Sequence, residues 1–223
     1  MATTKRQEII EELRMVIKGK TLDAIIPPLA FVILNGFDLL VAILSAIGLS
    51  LLLVTIRLIQ NRTRTYALFG LGGVIVASAF AYLAESATSY FLPEIVSSVA
   101  LFLVALLSIL FDRPIAAYLS HLTRGWPISW YRRKDVLPAY REVTYAWTIL
   151  LFLRMVAQIV LYLEDDVTLL FWVNGLTGLP ALIVVLILTY IYGIRRLSAL
   201  KGPSVEEHEQ GTLPPYAGQK RGF

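Results

Sequence analysis

The sequence predicts an all-α integral membrane protein: a bundle of six transmembrane helices with both termini cytoplasmic, plus short amphipathic cytoplasmic helices. Three observations carry this. Of 223 residues, 57% are hydrophobic and only 16% charged, with a mean hydropathy of +0.69, whereas a soluble chain carries about a quarter charged residues. The apolar residues gather in six stretches, near 22–36, 39–56, 66–84, 95–111, 143–163 and 169–194, and about 20 residues of helix cross a hydrocarbon core. The basic residues, finally, are sorted among the connections as a single topology requires.

Residues 1–20 precede the first span. Thr4 and Gln7 stand at capping-box spacing and Gly19 is a stop, so 4–18 reads as a helix. Ile9, Ile10, Leu13, Val16 and Ile17 share one face, opposite Glu8, Glu11, Glu12 and Lys18. That face suits either the membrane interface or packing against cytoplasmic loops. No cleavable signal peptide is expected, because charged and apolar residues alternate here.

The transmembrane domain is expected over 21–197. Span one is short and holds Pro27 and Pro28; Pro93 opens span four; Pro180 interrupts span six after Asn174, Gly175 and Gly178. Proline blocks an amide and frees a carbonyl, so Pro27, Pro28, Pro93 and Pro180 are candidate helix breaks, read either as simple kinks or as the broken helices that line cavities. Gly70, Gly72 and Gly73 in span three are expected to let helices approach closely. Within the interfacial segment 113–135, Pro114 starts a short helix that stops at Gly125, and Trp126, Trp130 and Tyr131 form an aromatic belt at headgroup level. The tail, 198–223, is rich in Gly, Pro, Glu and Gln and is expected to be disordered in the cytoplasm.

Charge sets the orientation. Nineteen of the twenty Lys and Arg fall before span one, in the second and fourth connections, or after span six. The other three connections carry only acids: Asp38, then Glu85 and Glu94, then Glu164, Asp165 and Asp166. Lys and Arg remain on the cytoplasmic side, which places both termini inside a multi-pass protein of the cell membrane. The net charge of +4 then faces anionic lipid rather than nucleic acid. Arg132, Arg133 and Lys134 are the candidate lipid-facing basic anchor.

Catalysis has little to work with. There is no cysteine, and the two histidines, His121 and His208, have no partner at metal-ligand spacing. No nucleophile–base pair, paired-carboxylate site or zinc motif occurs, so neither an enzyme nor a metal or cofactor is expected.

The one basic residue outside the charge pattern is Arg154, about eleven residues into the fifth span and near the bilayer midplane. A central arginine is unfavourable by about 2.5–3.5 kcal/mol on insertion scales, so Arg154 should face protein or water. Thr144, Trp147, Arg154, Gln158 and Tyr162 step by three, four or seven residues and share one helical face. With Asn174 they form the candidate intramembrane polar site. A helix-locking arginine bonded to carbonyls is one reading, and a solute, lipid or ion site is the other. Partners for Arg154 include carbonyls freed by proline, Asn174, an inward-drawn Asp23 or Glu85, or a bound anion.

Several strings occur together over about residues 20–196. They are Ile26-Pro27 with Phe31, Phe69-Gly70 through Gly73, Tyr90-Phe91-Leu92-Pro93, and Ser108 through Arg113-Pro114-Ile115. Trp147 through Leu153-Arg154, Gln158 with Leu161-Tyr162, and Gly178-Leu179-Pro180 follow in order. In these the sequence resembles the prokaryotic membrane-protein family known as domain of unknown function 3159, departing from it at Glu94, where the pattern has glycine. A remoter similarity is to septation-protein-A-like envelope proteins. The resemblance implies a six-span membrane protein and brings no substrate, reaction or cofactor. Two functions are therefore expected of the sequence: a small transporter or channel-like protein for an anionic or polar solute, or an envelope assembly scaffold. Six helices leave both a monomer and a homodimer open.

Overall fold

Unbroken apolar runs rich in Leu, Ile and Ala satisfy their backbone only as helices when water is scarce, and all regular structure among the described residues is helical. The computed structural model describes residues 21–59, 64–219 and 222–223. The expected helix at 4–18, with Lys5, Arg6, Arg14, Lys18 and Lys20, lies outside them, as do Arg62, Lys220 and Arg221. The long elements are α1 (Thr21–Asn35), α2 (Leu39–Ile59), α3 (Arg64–Leu83) and α4 (Leu92–Leu110), with a 3₁₀ turn at Thr88–Phe91 before α4. Two short helices, α5 (Ile115–Arg124) and α6 (Ile128–Tyr131), lead to α7 (Leu137–Leu163), α8 (Val167–Thr177), α9 (Leu179–Leu200) and α10 (Val205–Glu209).

Four segments are long and apolar enough to cross a membrane: Leu39–Ile59, Thr88–Leu110, Leu137–Leu163 and Val167–Leu200. Ile25–Asn35 and Leu68–Leu83 are apolar but shorter. Leu44, Leu83, Phe111 and Leu163 are each more than two-thirds exposed, and α9 shows Leu182, Val184, Ile187 and Leu188 about half exposed. Soluble monomers rarely expose continuous apolar patches on this scale; this surface suits hydrocarbon.

The chain forms two compact units. The first comprises Met1–Ile95 and Gln158–Gly175. Its α1, α2 and α3 pack on one another. α2 presents a buried stripe of Ala42, Ala46 and Ser50, continuing to Val54, whose small side chains permit close helix approach. Around it lie Phe31, Ala81, Tyr90, Phe91, Ile95 and Leu170, with the Phe31 and Tyr90 rings stacked at 4.1 Å. Pro27 and Pro28 do not break α1: both sit inside the helix, because their fixed φ is helical and the loss is confined to one turn's hydrogen bonds. Gly70, Gly72 and Gly73 do not mediate close packing either, since a Cβ at any of them would meet nothing within 4 Å.

The second unit comprises Val96–Ala157 and Leu176–Phe223. Here the tail reading is overturned. Trp130, Tyr131, Val136, Ala139, Tyr140, Val143, Leu197 and Val205 form one buried cluster, with Trp126 and Phe223 packed against it. Trp130 Nε1 donates to the Pro203 carbonyl at 2.9 Å. The Phe223 ring stacks on Tyr140 at 4.3 Å and 5°, and Arg124 Nε donates to the Phe223 carbonyl at 3.1 Å. Glycine makes this approach possible: any Cβ at Gly193 would run into the Phe223 ring, and one at Gly222 would sit 2.6 Å from Trp126. Ser204 caps α10 in a capping box with Glu207. A polar composition without a core of its own is ordered because it borrows this aromatic one. For the same reason Trp130 and Tyr131, at 0% and 1% exposed, are core residues and not a headgroup belt.

Helix ends follow one rule. α3, α4 and α7 each finish in a Schellman motif: Ser86 N to Ala81 O (3.2 Å), Arg113 N to Ser108 O (2.8 Å) and Asp166 N to Leu161 O (3.0 Å). The left-handed residues are Glu85, Asp112 and Asp165, at φ 50°, 55° and 55°. α7 begins six residues before the predicted span, with Pro138 in its first turn. Its early charges are paired: Arg141 with Asp112 at 3.2 Å and Glu142 with Arg196 at 2.8 Å. Pro93 is likewise a first-turn residue, of α4. The sixth apolar stretch is two helices, and the interruption falls at Gly178 with Pro180 in the first turn of α9.

Candidate functional site

The polar residues of α7 each find a different partner. In the second unit, the buried Thr144 hydroxyl donates to the Tyr140 carbonyl at 2.8 Å and accepts from the Ala116 amide at 3.3 Å. Ala116 lies in the first turn of α5, whose amides lack intrahelical acceptors, so Thr144 serves as a remote cap. Trp147 Nε1 reaches Thr189 Oγ1 on α9 at 3.4 Å, and that hydroxyl donates to the Val185 carbonyl at 2.7 Å. Arg154, half-buried, donates from Nη1 to the carbonyl of Thr177 at 3.4 Å. Thr177 ends α8, and terminal carbonyls are the acceptors a helix cannot satisfy itself. The acceptor seen for Arg154 is thus a carbonyl beside the Gly178 interruption.

In the first unit, Gln158 is fully buried and Asn174 7% exposed. Gln158 Nε2 donates to Asn174 Oδ1 at 2.6 Å. The remaining polar atoms, Gln158 Oε1 and Asn174 Nδ2, have no protein partner. Rotating both amides exchanges which residue supplies which group, but still leaves one donor and one acceptor. Tyr162, one turn further along, has its hydroxyl 3.2 Å from Ser89 Oγ in the 3₁₀ turn. Thr88, its neighbour, donates to Asp165 Oδ1 at 2.7 Å. Sequence reasoning missed this hydroxyl–carboxylate group; the Ser-Ala-Thr-Ser run at 86–89, ahead of an acidic connection, was its only signal.

The basic anchor divides. Arg133 is bound to Asp135 by two hydrogen bonds, 2.9 and 2.8 Å, and lies over the Tyr216 ring at 5.6 Å. Asp135 is held below the usual carboxylate range by the Arg133 hydrogen bonds, and Arg133 is pushed up by the same contact. Arg133 therefore faces protein rather than lipid, because an acid two residues away captures it. Arg132 and Lys134 remain exposed.

Glu207 is a second residue that the sequence did not single out. Its carboxylate accepts from the amides of Ser204 (2.7 Å), Ala217 (2.7 Å) and Gly218 (3.2 Å), which hold it below its ordinary value. The signal was present: Ser204 and Glu207 have capping-box spacing. Both histidines are hydrogen-bonded, His121 Nδ1 at 2.5 Å from the Trp126 carbonyl and His208 Nε2 at 3.0 Å from Ser129 Oγ. Among the described residues, no three His, Asp or Glu side chains are grouped to hold a metal ion.

The family described as Protein of unknown function (DUF3159) matches residues 18–200. No curated protein and no solved structure matches the chain, so nothing found bears on the septation-protein-A likeness.

Proposed function

This chain belongs to the DUF3159 family, a membership that brings no activity with it, and from the site itself we propose a small-solute transporter or channel-like protein. It spans a prokaryotic cytoplasmic membrane six times, with N and C termini inside and anionic lipid at the cytoplasmic face, and performs no covalent chemistry. The observation that carries the reading is the buried Gln158–Asn174 pair, which keeps one acceptor and one donor uncommitted inside apolar helices. An orphaned buried polar atom costs about 1–3 kcal/mol, so a pair serving only to lock helices is a poor design. A pair that receives the hydroxyl or carbonyl of a passing solute is a sound one. Because the Arg154 guanidinium bonds the Thr177 carbonyl, the solute is read as polar rather than anionic.

That same contact favours the second reading, an envelope scaffold in which Arg154 fastens the interrupted sixth stretch and the folded cytoplasmic cap recruits a partner. Flux assays in proteoliposomes separate the two. Wild type should pass at least one small polar solute faster than empty vesicles, and Gln158→Leu should abolish that flux. Flux equal to empty vesicles for every solute removes the transport reading.

A further inference from the structure

Where α4 ends, the surface offers a groove of about 530 Å³ lined by Val104, Leu107, Ser108, Phe111 and Arg113. Val104, Leu107 and Phe111 are three and four residues apart, so they form one stripe about 10 Å long. They are 50%, 46% and 71% exposed. Ser108 adds no polarity to the wall, because its hydroxyl donates to the Ala105 carbonyl at 2.7 Å and accepts from the Ile115 amide at 3.2 Å. The stripe leads to a single cation. The Schellman turn at Asp112 reverses the chain there and sets Arg113 immediately beyond the last apolar residue. The Arg113 guanidinium makes no hydrogen bond, ion pair or ring contact among the described residues. Its acidic neighbour does not neutralise it, since Asp112 is engaged by Arg141 at 3.2 Å.

An apolar stripe that ends in one uncommitted guanidinium at the mouth of a span matches an acyl chain that ends in one phosphate. We propose that this groove is a binding site for one anionic phospholipid of the cytoplasmic leaflet. An acyl chain lies along Val104, Leu107 and Phe111, and the phosphate sits on Arg113. Charge complementarity selects the occupant. A zwitterionic lipid would bring a second cation to Arg113. Guanidinium also suits phosphate through two parallel hydrogen bonds. The site rests on the membrane reading above, and on no transport activity.

The test is native mass spectrometry of the full chain released from nanodiscs of equal phosphatidylglycerol and phosphatidylcholine, after vesicle flotation has scored insertion. Wild type should retain one phosphatidylglycerol. Arg113→Gln should lower that retention about five-fold, the weight of one surface cation against anionic lipid, while Arg113→Lys retains most of it. Phe111→Ser should lower it for an unchanged charge, and Arg195→Gln, an exposed cation elsewhere on the second unit, should leave it unchanged. Equal losses in Arg113→Gln and Arg195→Gln would mean a diffuse field and overturn the site, as would phosphatidylcholine retained equally, or a dimer that the groove variants dissociate. A chain that does not float with vesicles overturns the membrane reading and the site with it.

Discussion

The Gln158–Asn174 pair makes a quantitative prediction that separates a lock from a site. Replace Gln158 with Met, which keeps its length, and Asn174 with Leu, which keeps its branching at Cγ. Either single change deletes the 2.6 Å bond and leaves one amide with every polar atom orphaned in a buried position. Each orphan costs about 1–3 kcal/mol, but each single variant holds two orphans, as wild type does, so each should lose only the bond, about 0.6 kcal/mol. The double variant removes the bond and the two atoms that have no protein partner. Side-chain hydrogen bonds between membrane helices average only about 0.6 kcal/mol, less than those two atoms cost. The double variant should therefore match wild type or exceed it by about 1 kcal/mol, a strongly non-additive cycle. Tryptophan fluorescence during unfolding by SDS in mixed micelles reads all four proteins. Flux should be lost in the double variant despite its stability. A double variant that is the least stable of the four, with additive losses, refutes the reasoning, because each amide would then be bonded on its own account.

Five further outcomes follow. The chain has no cysteine, so single cysteines at Glu85, Glu164, Lys134 and Ser198 can be labelled in intact cells. The first two should react with an impermeant maleimide from outside and the last two should not. Arg154→Leu should destabilise by about 1–3 kcal/mol by deleting the charge-assisted bond to the Thr177 carbonyl, while Arg154→Lys recovers part of it; equal stability of Leu and wild type in SDS unfolding would deny that contact a role. Glu207→Gln should expose 204–218 to protease while leaving the helices intact by circular dichroism. For the same carboxylate in wild type, the folded pKa lies below the unfolded one. Its contribution is therefore complete above about pH 4–5 and is lost as acid titrates the folded group, so protease sensitivity should rise only below pH 4. Gly193→Val should eject the Phe223 ring, detected as altered near-ultraviolet circular dichroism.

What was readable in the sequence, and what was not, divides along physical lines. Helix in all six apolar stretches was readable, because backbone satisfaction in an apolar chain allows few alternatives. The ends were less so. Arg141 and Glu142 made α7 look as if it began at 143, since a charge reads as solvent until its partner is known, and Asp112 and Arg196 lie far off in sequence. Proline misled in α1 because a break depends on whether neighbours resupply one turn of hydrogen bonds. The tail misled most. Composition reports whether a segment can build a core, and 201–223 cannot; it docks on Trp130, Tyr131 and Tyr140, which are contributed by other segments. At the candidate site, periodicity nominated Thr144, Trp147, Arg154, Gln158 and Tyr162 correctly as residues on one helix. It could not say that they would be divided among five unrelated partners in two units.

The carboxylates give the charge topology a meaning beyond counting. In the first unit, Asp38 accepts from the Val41 amide at 3.0 Å, Asp166 from the Leu169 amide at 2.8 Å, and Asp165 from the Thr88 hydroxyl at 2.7 Å. These acids sit in connections that carry no Lys or Arg, and helix amides and hydroxyls take the place of cations. In the second unit, Asp112, Asp135 and Glu142 lie among basic residues and each meets an arginine. An acid at a helix N-terminus is favoured by the helix dipole without any counter-charge. On the proposed topology, which withholds Lys and Arg from one side of the membrane, acids can therefore be kept there, provided each is supplied with amides or hydroxyls. Replacing Asp166 with Asn should then be mild, since the cap persists, while Asp166→Lys should be severe twice over, losing the α8 cap and placing a cation in a connection that the proposed topology keeps free of them.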